Sequence, residues 1–159
     1  MSGVVDLLVR SVLVLTGYAF AALCASAFLH LVALPMLGFN AAEIPAIAAG
    51  SIVFSVPFVA LFVAYFAFFP ALVAILAGEV LKLREWLYYA IAGGVVGGVV
   101  TGYFRAAAEG DHPVSTEPLF VMALVGAGMC GGLGYWLVAG RSCGGSRRGP
   151  GDITSPAPK

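Results

Sequence analysis

Four stretches of this chain are apolar for long enough to cross a lipid bilayer, and that feature constrains its fold more than any other. A spanning helix needs about 20 mainly apolar residues, because the hydrocarbon core is about 30 Å thick and each residue rises about 1.5 Å. The first stretch runs from about Ser11 to Leu34 and is expected to end at Pro35, with Gly38 and Asn40 in the following turn. The second starts near Ile44-Pro45, where proline suits the first helical turn because the N–H it lacks would be unpaired anyway, and it stays apolar to Gly78-Glu79. That makes about 50 Å of helix, too long for a straight crossing. Two crossings would need about 34–40 residues plus a turn and would invert the rest of the chain, so one tilted helix over about 45–78, kinked at Pro57 and Pro70, is the preferred reading. The third stretch covers about Trp86 to Phe104 and the fourth about Pro118 to Val138, with Thr116 as N-cap.

Composition agrees. The 159 residues are 61% hydrophobic and 10% charged, whereas a soluble domain is about a quarter charged. The expected fold is therefore all-α, an integral membrane bundle of four transmembrane helices over residues 1–140. A Gly-, Ser- and Pro-rich tail, residues 141–159, follows as a disordered cytoplasmic segment. A net charge of zero without a basic surface gives no reason to expect nucleic acid as a partner. The expected partners are the bilayer itself and either further copies of the chain or a larger membrane complex.

Orientation follows from Lys and Arg, which favour the cytoplasmic side. With four helices, Arg10, Lys82, Arg84, Arg141, Arg147, Arg148 and Lys159 all fall on one side, and Arg105 alone falls on the other, beside Glu109, Asp111 and Glu117. An odd number of helices would scatter these charges. Both termini are therefore expected in the cytoplasm, with Trp86, Tyr88, Tyr89, Tyr135 and Trp136 at that interface. The first apolar run, preceded by Arg10 and containing Ala25-Ser26-Ala27, has some features of a signal peptide. Its length exceeds a signal h-region of about 7–15 residues, so it reads as a retained helix.

Glycine at helical spacing is the most informative local pattern. Gly94, Gly98 and Gly102 recur every fourth residue, as do Gly93, Gly97 and Thr101; the fourth helix offers Gly128 with Gly132 and Ala127 with Gly131. Small residues let helix backbones approach closely in lipid, where packing and weak interhelical hydrogen bonds replace the hydrophobic drive. Gly94, Gly98, Gly102, Gly128 and Gly132 are accordingly expected to pack the third and fourth helices into a tight antiparallel hairpin, with a homo-oligomer interface or a close-approach site for a ligand as the alternatives.

Chemistry-bearing residues are sparse. No charged residue falls at the middle of a span, and a charge held there is the usual mark of ion or proton transport. Cys24, Cys130 and Cys143 are widely spaced, with no Cys-x-x-Cys pair, and read as small packing residues and one tail thiol. His30 and His112 show no metal-ligand spacing. Gly93 to Gly98 lies within an apolar helix and lacks the strand and the Lys-Ser/Thr ending of a nucleotide loop. No catalytic, cofactor or metal residue is therefore assigned. The loop around Lys82 and Arg84 and the tail residues Arg141, Arg147 and Arg148 form a candidate cytoplasmic contact surface for anionic lipid or a partner protein.

Several segments look like those of small uncharacterised inner-membrane proteins of alphaproteobacteria. They are Phe69-Pro70-Ala71-Leu72 through Gly78-Glu79, Leu83-Arg84, Tyr88-Tyr89-Ala90-Ile91-Ala92-Gly93-Gly94, and Gly131-Gly132-Leu133-Gly134-Tyr135-Trp136-Leu137-Val138-Ala139-Gly140-Arg141. The resemblance covers roughly the second half and implies a bacterial inner-membrane location and a helical hairpin, with no activity attached. The function expected from the sequence is that of a non-enzymatic scaffold or accessory subunit acting through helix–helix contacts. The alternative is a small oligomeric channel or transporter.

Overall fold

The computed structural model describes residues 2–36, 53–81, 85–107 and 118–140. Four helices account for almost all of them: α1 (Ser2–Met36), α2 (Val53–Val80), α3 (Trp86–Ala107) and α4 (Pro118–Tyr135), the last continuing as a π-helical turn over Trp136–Gly140. All four are long and apolar enough to cross a membrane. Among the described residues there is no strand, in keeping with the need of spanning backbone to satisfy its own N–H and C=O groups.

The helices form a square ring in which each packs on its two chain neighbours and α4 closes onto α1. Contacts at both ends give the directions. Arg10 on α1 meets Glu79 on α2 at one end, and Ser26 and His30 meet Val56 and Ser55 at the other. Tyr88 reaches Ala74, and Phe104 lies against both Phe66 and Phe120. Gly17 faces Ala139 while Gly126 faces Phe28. Every neighbouring pair is therefore antiparallel, an up-down-up-down bundle. The end holding Arg10, Glu79, Trp86 and Ala139 is called the first end below.

α1 is longer than the sequence pattern suggests, starting at Ser2 and carrying Pro35 within its last turn. Proline forfeits one hydrogen bond to the preceding turn, and so near a helix end little lies beyond it to disrupt. α2 is a single helix that runs through Pro57 and Pro70. At 28 residues it is about 42 Å long, and the expected stretch before it, residues 45–52, lies outside the described residues. α3 and α4 match their expected spans to within three residues, with the π-helical turn carrying the chain to Gly140.

Side-chain size is distributed in reverse of a water-soluble protein. Among the described residues the largest fully buried side chain is Ser26, and the buried apolar residues are mostly alanine, with Val100, Tyr89 and Tyr135. The large apolar side chains point outward, among them Phe54, Phe58, Leu61, Tyr65, Phe69 and Val73 along α2. Such an arrangement is stable where the surroundings are themselves apolar, because no free energy is then gained by turning Phe and Leu inward. At the first end Tyr89, Tyr135 and Ala139 form a small core covered by Leu13, Val14, Ile75 and Trp136. The two tyrosine rings lie 5.5 Å apart.

Candidate functional site

The closest approach in the bundle is between α3 and α4, and glycine makes it possible. A Cβ added at Gly93 would fall on the carbonyl oxygen of Gly128, and one at Gly128 on that of Gly93; one at Gly132 would fall on the Tyr89 carbonyl and one at Gly97 on that of Leu124. Each step of four residues along α3 thus pairs with a step of four back along α4. The contact is backbone against backbone, so no side chain can swing aside to admit a methyl group.

Of the glycines expected to pack this hairpin, Gly128 and Gly132 do so. Gly94 lies at its margin, where an added Cβ would be 3.1 Å from the Met129 side chain. Gly98 and Gly102 do not take part: a Cβ at either meets nothing within 4 Å, and both are exposed. Of the two interleaved repeats, the one that faces α4 is Gly93 and Gly97, followed by the buried Thr101, whose hydroxyl donates to the Gly97 carbonyl at 2.9 Å. The other lies about 100° around the helix. Lys82, Arg84, Arg141, Arg147 and Arg148, the expected contact surface, lie outside the described residues, as do Cys143 and His112.

α2 is seated differently. It buries only Ala60 and Gly78, and its neighbours hold it largely through side-chain hydroxyls that donate to its backbone. Ser26 donates to the Val56 carbonyl at 2.7 Å, Tyr18 to Ala64 at 2.6 Å and Tyr88 to Ala74 at 2.9 Å. The two tyrosines take carbonyls on either side of Pro70. The end away from Arg10 adds a side-chain relay. The His30 ring places Nδ1 2.8 Å from the Ser26 carbonyl, which only accepts, so Nδ1 carries a proton; Nε2 lies 2.7 Å from the Ser55 hydroxyl and, in the neutral ring, accepts from it. Sequence reading missed this group, although Ser26 and His30 stand one turn apart on α1. At the first end Arg10 offers Nη2 to Glu79 at 2.9 Å and Nε at 3.3 Å, a two-pronged pair across the α1–α2 seam.

Between α2 and the other three helices lies a partly open cleft of about 590 Å³, counting the space at its mouth. All four helices line it: Tyr18, Ala21, Ala22 and Ala25; Val63, Ala64, Ala67, Ala71, Ala74 and Ile75; Tyr89, Ala92, Gly93 and Val96; and Gly128, Gly131, Gly132 and Tyr135. Every lining residue is Ala, Gly, Val, Ile or Tyr. The lining thus has neither the charged ring nor the polar stripe by which pores select ions. Among the described residues no three His, Cys, Asp or Glu side chains come together. Cys24 packs against Gly134, its Sγ 3.0 Å from where a Cβ would stand. The fold and cleft define a four-helix membrane bundle with an apolar centre. Compared with family models, curated proteins and solved structures, the chain matches none.

Proposed function

We propose that this chain is a multi-pass bacterial inner-membrane protein, both termini in the cytoplasm, that works as a non-enzymatic scaffold or accessory subunit through helix–helix contact. The observation that carries the reading is the contrast between two kinds of seating. α3 and α4 are locked backbone to backbone, while α2 is held largely by hydroxyl tethers and shows a long aromatic outer face of Phe54, Phe58, Phe62, Tyr65 and Phe69. A rigid hairpin carrying a more loosely seated helix suits a protein that presents one helix to a membrane partner.

The channel alternative lacks a polar path in the described residues, since the central cleft is lined by apolar groups and tyrosine rings. Arg10 and Glu79 at the first end, with Trp86 nearby in the chain, support placing that end at the cytoplasmic interface. The resemblance in the second half of the chain supports the bacterial inner membrane. The test is the mass of the nanodisc-embedded protein, with its co-purifying proteins identified. A single copy travelling with a larger membrane complex is expected; a homo-oligomer that conducts solute across liposomes would overturn the proposal. For topology, a C-terminal reporter active only outside the cytoplasm would overturn the orientation.

A further inference from the structure

We propose that the central cleft holds one acyl chain of a membrane phospholipid from the leaflet at the first end, with the lipid phosphate on Arg10. This goes beyond the scaffold reading and requires only that the bundle lie in a bilayer.

Three observations point to that occupant. The lining is alanine, glycine, valine and isoleucine with three tyrosine rings, and the Tyr18 hydroxyl is spent on the Ala64 carbonyl. A polar ligand would find few partners there, whereas a hydrocarbon chain needs none. The length also fits. On α2 the lining residues run from Val63 to Ile75, about 18 Å along the axis, against about 15 Å for one leaflet of a 30 Å core. The cleft therefore has the depth of one leaflet, and its end at Ile75 stops one turn short of Glu79.

The third observation is the charge at that end. Arg10 on α1 lies on the helix face shared by Gly17, Ala21 and Ala25, and it joins Glu79 across the α1–α2 seam, two turns toward the first end from Tyr18 and one turn beyond Ile75, with Leu13 and Val14 between it and the cleft. Glu79 engages Nε and Nη2 of the guanidinium. Among the described side chains this leaves Nη1 and one further N–H, and the Arg10 side chain is 56% exposed. The carboxylate fixes the plane of the guanidinium and leaves its outer edge toward the interface, where an anionic phosphate is the complementary group. A chain in the cleft and a phosphate on Arg10 together make one phospholipid at its normal depth.

The experiment is native mass spectrometry of the full chain released from detergent that strips annular lipid, with the bound molecule identified by fragmentation. The wild type is expected to retain one phospholipid. Ala67→Phe fills the cleft from α2 and should lower retention at least about tenfold, because the ring occupies the space of the chain and overpacks the site. Arg10→Gln should lower it several-fold while lowering the stability of the lipid-free protein only slightly, through loss of the Glu79 pair. Gly98→Leu adds bulk on a face that meets nothing within 4 Å and should leave retention unchanged. If Ala67→Phe does not fold, the smaller Ala71→Leu makes the same comparison. Absence of a lipid-bound species, retention indifferent to the cleft-filling substitution, or a bound isoprenoid without phosphate would each overturn the proposal. A lipid lost equally in Gly98→Leu would show annular binding and overturn it too.

Discussion

The two interleaved glycine repeats of α3 allow backbone packing to be measured against an internal control. A Cβ at Gly97 falls on the Leu124 carbonyl, with Leu124 C and Val125 Cα both 3.0 Å away, whereas a Cβ at Gly98 meets nothing. Because the obstructing atoms are backbone, Gly97→Ala obliges α3 and α4 to part by about 1 Å. A gap of that size forfeits roughly a quarter to a half of each dispersion contact along the seam. Overpacking of this kind costs about 1–3 kcal/mol. Both substitutions also gain helix propensity, up to about 1 kcal/mol in water, and that gain cancels in the comparison. Gly98→Ala is therefore expected to be neutral or mildly stabilising, and Gly97→Ala to be about 1–3 kcal/mol less stable than Gly98→Ala. Reversible unfolding in mixed micelles or steric trapping in bicelles measures both. Equal stabilities within about 0.5 kcal/mol, the usual scatter of surface substitutions, would refute the assignment of the packing face.

Three further outcomes follow from the seating of α2. Tyr18→Phe removes only the hydroxyl that bonds the Ala64 carbonyl; by the same unfolding assay it should cost about 0.6 kcal/mol and at most about 1.7, the range for interhelical bonds in membranes. Arg10→Gln breaks a pair whose side chains are 56% and 22% exposed, so in lipid-free micelles it should cost less than about 1 kcal/mol, and less at high salt. The Ser26 carbonyl, which only accepts, fixes a proton on His30 Nδ1, and the Ser55 hydroxyl bonds Nε2. Nitrogen-15 shifts of the labelled ring should show Nδ1 as donor and Nε2 as acceptor, and Ser55→Ala should move Nε2 more than Nδ1; the opposite tautomer would contradict the relay.

The spans themselves were legible because bilayer thickness sets their length, and hydrophobic runs of that length have few other uses. The ends of α1 were less legible. Pro35 marks a stop in the sequence pattern, yet the helix reaches Met36, because a proline in the last turn disturbs little that follows it. The close α3–α4 contact was readable as a class of interaction, but its face was not. Gly93 and Gly97 differ from Gly94 and Gly98 by one residue and about 100° of rotation. A helix whose outer side is also apolar carries no polar stripe to break the tie. The cleft was not legible at all. It arises from the distance at which α2 stands, and that distance depends on Tyr18, whose hydroxyl in mid-span is expected to bond its own helix but reaches α2, and on Tyr88, which looks like an ordinary membrane-belt residue.

Alanine and glycine play opposite parts in the two halves of the bundle. Between α3 and α4, glycine on both sides brings the carbonyls of one helix against the Cα atoms of the other, and the seam closes. Across the bundle, the alanines of α2 at positions 64, 67, 71 and 74 share a cleft with alanines and glycines of the other helices and with Tyr18, Tyr89 and Tyr135. The difference lies in what stands between the backbones. Tyr18 and Tyr88 each span from a neighbouring helix to an α2 carbonyl, and the Tyr18 ring lines the gap, setting a separation that a methyl group does not fill. An empty gap gains no dispersion energy from its lining. The hydroxyl tethers and the contents of the cleft should thus act on the same separation. A bound acyl chain would supply the contacts that alanine lacks and hold α2 in its seat. Loss of a tether would then weaken lipid retention as well as stability, whereas opening the α3–α4 seam would weaken stability first.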